Sequence, residues 1–194
     1  MISNGSIVSA ISDMAFEKNN TIEEIVLPDT IVRIGERAFY RCINLTSVKI
    51  EHQDNVDLSE EDCPLEIHKK AFSGCKNLTK LKCNKPIILM GVLAFHNCIL
   101  LPKIDGKIYG NLPDKSFLNC MSLEEFSFYD KETTIGQGCF EDCLNLARFY
   151  IHQDLELPNL FLEEHKEAKF FCGDKSKYLS LIHFGYKVMM FSNY

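Results

Sequence analysis

No apolar run in this chain approaches the roughly 20 residues needed to cross a bilayer as a helix. That excludes membrane insertion by a helix. Basic charge is not in excess either. Lys and Arg number 21 against 27 Asp and Glu, for a net charge of −6, so general nucleic-acid binding through a basic face is not expected. The opening stretch, MISNGSIVSAISDMAF, lacks the basic start and long apolar core of an export signal. A cytoplasmic chain with reduced thiols is the expectation that follows. Catalytic signatures are missing too. There is no G-x-S-x-G elbow, no G-x-x-x-x-G-K phosphate loop and no H-E-x-x-H pair among the six histidines. An enzyme is not expected, and no cofactor or metal.

Cysteine, by contrast, is plentiful, with nine in 194 residues. Five follow a phenylalanine at the same distance: Phe39/Cys42, Phe72/Cys75, Phe95/Cys98, Phe117/Cys120 and Phe140/Cys143. Phe16 opens the series with Asn19 in the cysteine's place. The phenylalanines are spaced by 23, 33, 23, 22 and 23 residues. Relative to each, position +6 holds Ile22, Leu45, Leu78, Leu101, Leu123 and Leu146, and +9 holds Ile25, Val48, Leu81, Ile104, Phe126 and Phe149. Position −1 is small: Ala15, Ala38, Ala71, Ala94, Ser116, Cys139. Position −5 is apolar: Ile11, Ile34, Ile67, Met90, Leu112, Ile135.

A unit of about 23 residues cannot bury its own apolar side, but it can bury it against stacked copies. The phenylalanines then fill the interior, each contributing roughly 1.5–3 kcal/mol on full burial. The small residue before each lets neighbouring coils approach. The segment from +6 to +11, such as Leu45–Ile50, reads as a short strand. Successive strands would stack as a parallel sheet about 4.8 Å apart. Sulfurs stacked in a line cannot close a tetrahedron around zinc, and parallel side chains hold Cβ atoms too far apart for a bridge. The cysteines are therefore expected to be small buried hydrophobes. Cys139 and Cys143 fall on repeat positions, Cys83 takes a core strand position, and Cys63 is the candidate exposed thiol.

The consensus I-G-x-x-A-F-x-x-C-x-x-L-x-x-V-x-I, carried best by Ile34–Ile50 and again at Ile135-Gly136, resembles the BspA-like leucine-rich repeats of bacterial and protist proteins. The resemblance implies a curved solenoid for adhesion or protein binding, often at a cell surface. The expected fold is a leucine-rich-repeat solenoid of about six to seven coils, with short parallel strands in a curved sheet and a strand-helix-strand cap at the C-terminus. Residues 1–156 are read as the solenoid, and 157–194 as a degenerate last coil plus the cap. In that cap Phe170–Cys172 would make a strand, Lys175–His183 a helix stopped at Gly185, and Tyr186–Phe191 an edge strand. Tyr178, Leu179 and Ile182 lie at helical spacing.

The expected function is a non-catalytic protein-interaction scaffold; the alternative is a targeting or regulatory module of a host-interaction effector or an adhesin. If the strands line the concave side, positions +8 and +10 face outward. They place Lys49, Lys80, Lys82 and Lys103 close together, with Arg148 and Tyr150 further along. This basic cluster is expected to meet an acidic protein surface or the chain's own acidic insertion, EHQDNVDLSEEDCPLE. That insertion matches no D-x-D-x-D-G calcium loop and is read as a solvated loop. His68 and His96 fall in repeat turns, with solvated or hydrogen-bonded roles. Asn4, Asn19, Asn44 and Asn77 open N-x-S/T sites that would matter only on a secreted chain. A monomer or weak end-to-end association is expected.

Overall fold

The structure is a computed structural model that describes residues 8–51, 63–151, 155, 157–173 and 175–190. In chain order the strands are β1 (Ala10–Ile11), β2 (Glu24–Pro28), β3 (Arg33–Ile34), β4 (Ser47–Glu51), β5 (Leu65–Ile67), β6 (Lys80–Cys83), β7 (Ile87–Leu89), β8 (Ile108–Tyr109), β9 (Glu125–Phe128), β10 (Arg148–Ile151), β11 (Lys169–Cys172) and β12 (Lys187–Met190). Helices α1 (Asn159–Glu164) and α2 (Lys175–His183) flank β11. Every strand pair is parallel. That is the signature of a coil that returns to the same place on each turn.

Between its strands each coil makes a tight turn at the Ala-Phe pair. There the phenylalanine N–H donates to the carbonyl of the next coil's −1 residue: Phe16 to Ala38, Phe39 to Ala71, Phe72 to Ala94, Phe95 to Ser116 and Phe117 to Cys139, at 2.8–2.9 Å. The N–H groups at −2 and +2 donate to the next coil as well, for example Arg37 to Lys69 at 3.0 Å and Arg41 to Ser73 at 2.8 Å. Three successive outward donors require the residues at −2 and +2 to adopt the left-handed region. Met14, Lys18, Arg37, Arg41, Lys70, Leu93, Asn97, Lys115, Asn119 and Asp142 do so with φ of 55–63°, and Gly74 and Gly138 hold the remaining two such places. Each non-glycine residue there carries a steric cost of about 1–2 kcal/mol. The stacking bonds offset it.

Inside this wall the rings of Phe16, Phe39, Phe72, Phe95, Phe117 and Phe140 form one column. Centroids are 5.1–5.4 Å apart and planes within 8° of parallel. A centroid separation well above ring thickness means the rings are offset, the arrangement the quadrupole favours. Phe39, Phe72, Phe95 and Phe117 are fully buried, as are Leu45, Leu78 and Leu101 at +6. The column ends at Phe140. The segment read as a degenerate coil turns through α1 before β11 pairs with β10, and its Phe161 meets Phe149 edge-on at 5.1 Å.

The structure departs from expectation in four ways. They begin at +8 rather than +6, because Leu45 and its equivalents turn inward before the strand starts. A second sheet, β1-β3-β5-β7-β8, runs along the −5 side, and the longer strands divide into β2-β4-β6 and β12-β11-β10-β9. The fourth coil supplies no long strand. Its Pro102 lacks an amide proton and Asp105-Gly106 stands where other coils place a strand end, so only a single bridge, Lys82 to Asp105, continues the first sheet. Finally, Met90 is not a core residue. Leu89 is the register partner of Ile67, and Met90 is 51% exposed.

The helix α2 has the expected bounds, and Gly185 follows it at φ +83°. Its buried residue is Leu181, however, while Leu179 and Ile182 face outward. β12 pairs with β11 and ends at Met190; Phe191 lies outside the described residues.

The consensus glycine at −4 has a packing cause. A Cβ on Gly136 would lie 2.4 Å from the Asp114 amide nitrogen, and one on Gly35 2.7 Å from that of Asp13. Gly136→Ala should therefore lower stability by about 1–3 kcal/mol. Lys70→Gly, at a left-handed position, should raise it by up to about 1 kcal/mol. Urea unfolding of the two variants checks both signs.

Candidate functional site

Register along β2, β4 and β6 determines which side chains are neighbours on the strand face. Lys49 pairs with Lys82, Ser47 with Lys80, and Val26 with Lys49. Lys82 is bridged to Asp105 of the fourth coil, two residues past Lys103. The structure thus brings Lys49, Lys80, Lys82 and Lys103 onto adjoining coils. Two of these charges are partly met: Lys82 lies 3.8 Å from Glu51, and Lys103 3.5 Å from Glu125. Lys49 and Lys80 make no ion pair among the described residues. Surface pairs of this kind contribute little energy, so the face keeps a net positive centre at Lys49 and Lys80.

Arg148 and Tyr150 belong elsewhere. They sit on β10, in the other long sheet. Arg148 donates to Glu124 at 3.0 Å and to Glu125 at 3.2 Å, and Glu124 foremost holds its guanidinium more firmly protonated. Tyr150 stacks on Phe171 with centroids 4.7 Å apart. Neither adds to the lysine group.

Between the two long sheets, where the fourth coil makes no strand, a cleft of about 650 Å³ opens. Lys103, Asp105, Lys107, Tyr109, Ser127 and Tyr129 are among its walls. Tyr109 and Tyr129 lie 5.7 Å apart at a tilt of 37°, and the Lys107 ammonium sits 5.7 Å from the Tyr129 ring centroid. The repeat pattern by itself gives this place no motif. Its signal in the sequence is the failure of the repeat at Pro102 and Asp105-Gly106.

Four of the five cysteines in the row are buried as expected and Cys143 partly so, and the row does more than fill space. Each sulfur reaches the phenylalanine carbonyl of the coil before: Cys42 to Phe16, Cys75 to Phe39, Cys98 to Phe72, Cys120 to Phe95 and Cys143 to Phe117, at 2.9–3.2 Å. That carbonyl also accepts the amide of its own coil's +3 residue, as Phe39 does from Cys42 at 3.1 Å. The thiol is thus a weak second donor to an acceptor with two lone pairs. Burial pushes the Cys75, Cys98, Cys120 and Cys139 thiols far above the usual range, so they stay protonated and unreactive.

His96 is hydrogen-bonded rather than solvated. Its Nε2 lies 2.9 Å from the Asn97 side-chain amide nitrogen, and its Nδ1 3.2 Å from Ser73 Oγ. Asn119 in turn donates to Asn97. An amide donor at Nε2 requires the neutral ring. Burial first, then Lys70 and Lys115, hold the His96 pKa below its usual 6.5. His68 lies 3.2 Å from Glu66. Of the acidic insertion, residues 52–62 lie outside the described set.

A family model for the BspA type leucine rich repeat region matches in six copies, over residues 9–63 and 54–161. The chain belongs to that family, whose members are in general non-catalytic repeat scaffolds with interaction roles. No curated protein matches. Among solved structures, a leucine-rich repeat protein from Bacteroides ovatus ATCC 8483 is similar at 25% identity and a TM-score of 0.50, over 86% of this chain and 43% of that one. A leucine rich cell surface protein from Faecalibacterium prausnitzii A2-165 matches at 23% identity and 0.49, over 89% and 53%. The T. pallidum leucine rich repeat protein matches at 18% and 0.46, over 98% and 83%. The chain spans about half the length of the first two. No helix among the described residues is long and apolar enough to cross a membrane.

Two outcomes follow from the thiols and the histidine. In the native protein at neutral pH the exposed Cys63 should react promptly with a disulfide reagent, the half-buried Cys143 more slowly, and the seven buried thiols only on unfolding; absorbance counts them. Because the folded state disfavours His96 protonation, stability should be full above about pH 6.5 and decline as pH falls through the depressed folded value. His96→Gln should flatten the change in urea midpoint between pH 7.5 and 5.5.

Proposed function

We propose that this chain is a non-catalytic protein-interaction scaffold whose strand face, centred on Lys49, Lys80, Lys82 and Lys103, meets an acidic protein surface. One observation supports this reading above others. Parallel register sets Lys49 directly beside Lys82 and places Lys80 one coil from Ser47, on a protein whose net charge is −6. Like charges aligned on neighbouring strands repel and lower stability. An acidic partner would relieve that cost on binding, whereas a purely structural face has no use for it. A rigid stack also presents these side chains without further ordering, which limits the entropic cost of association. Family membership supports the interaction role, and the acidic character of the partner rests on the lysines. Arg148 and Tyr150 are left out of the contact, since their own neighbours engage them.

Immobilised wild-type chain and the double variant Lys80→Glu/Lys82→Glu should differ sharply in what they capture. Retention of acidic proteins should fall at least tenfold in the variant. Wild-type capture should weaken by about 0.3 M salt, where screening is short-ranged. Equal capture by both proteins rules the face out.

A further inference from the structure

The cleft at the fourth coil exposes something the rest of the stack hides, the edge of a strand. β9 ends its sheet, with β10 on one side only. On the preceding side the third and fourth coils keep a single bridge: Asp105 N–H donates to Leu81 O and Cys83 N–H to Asp105 O, both at 2.9 Å. The fourth and fifth coils part sooner. Glu124 N–H still reaches Pro102 O at 2.9 Å, but beyond it β9 runs beside the open cleft. Alternation along the strand assigns the peptide groups. Arg148 N–H bonds Glu124 O, so Phe126 and Phe128 turn their backbone toward β10, and Glu125 and Ser127 turn theirs into the cleft.

We propose that this cleft takes an extended peptide segment of acidic, alternating character, which adds a strand to the open edge of β9. Three features of the walls select it. Backbone donors and acceptors at Glu125 and Ser127 match a parallel or antiparallel strand. The walls are mixed; Ile104, only partly buried against the core, is the apolar side chain they offer, with Phe126 and Ile108 behind it, so the peptide residue that faces it would be apolar. The walls carry Lys85, Lys103 and Lys107 against Asp105 and Glu125; Lys103 lies 3.5 Å from Glu125, Lys85 is met by the carbonyls of Asp29 and Ile31, and Lys107, near the Tyr129 ring, makes no ion pair among the described residues, which leaves the cleft a cationic excess. The intervening residues would therefore be acidic. At about 3.4 Å per residue, the four residues of β9 offer room for a strand of similar length. The inference goes beyond the lysine face, for it depends on a broken sheet and a free edge, and Lys80 and Lys82 take no part.

The probe is a fluorescein-labelled hexapeptide alternating aspartate and valine, titrated with the full 194-residue chain and followed by anisotropy. Saturable binding is expected. The same peptide N-methylated at alternate residues, and the version with lysine for aspartate, should bind at least tenfold more weakly. Ser127→Pro removes the cleft-facing amide and should cost at least tenfold, Ser127→Ala should bind like wild type, and Lys107→Glu should weaken binding at least threefold. Lys80→Glu/Lys82→Glu should leave the titration unchanged, which separates this site from the lysine face. No saturable binding, or N-methylated peptide binding within twofold of its parent, overturns the proposal, and the peptide arm holds even where the proline variant fails to fold.

Discussion

The structure depends on a single contact, the bond from each phenylalanine N–H to the −1 carbonyl one coil further on. It fixes the distance between coils. Everything else is placed by that distance: ring on ring at 5.1–5.4 Å, thiol beneath carbonyl, strand beside strand. The turn that points the amide outward needs left-handed residues on both sides. A sequence of ordinary residues accepts that strain coil after coil, because each strained turn adds three intercoil bonds. A short unit with little interior of its own gains most of its stability from its neighbours, so local strain and stacking strength arise from the same geometry.

Much of this was legible in the residues, and the parts that were not have physical reasons. The Phe, Cys and Leu rows stand out because burial tolerates few alternatives at those positions. The helix Lys175–His183 was legible from its stop at Gly185. The left-handed positions were not, since Lys, Arg, Asn, Leu and Met fill most of them and only Gly74 and Gly138 carry the usual mark. The −5 sheet was missed because strands of two or three residues have no period to detect. Met90 misled because the register pairs Leu89 with Ile67, so that one more residue stands between the inward strand residue and Phe95 than in the coil before. The sulfur's role was half read. Burial follows from composition, but donation to a carbonyl depends on where the next coil lies.

The candidate site divides the same way. Lys49, Lys80, Lys82 and Lys103 were legible because strand alternation is a rule of two, and register then set them side by side. Arg148 and Tyr150 obeyed the same alternation yet lie beyond the interruption, tied to Glu124, Glu125 and Phe171. Counting coils treats all steps as equal, and the fourth step is not equal.

That inequality is where recognition can be specific. A perfect stack bonds every inner peptide group to its neighbour and leaves only side chains for a partner to read. Where the fourth coil supplies no strand and Gly106 replaces an apolar strand residue, β9 has a strand on one side only, two tyrosines frame the gap, and a lysine stands at its rim. Repair of the fourth coil to the consensus would close the sheet and strengthen the column. The defect therefore has a stability cost that regular repeats on either side can carry, and it gives an otherwise uniform surface one address that a partner can distinguish from its five neighbouring turns.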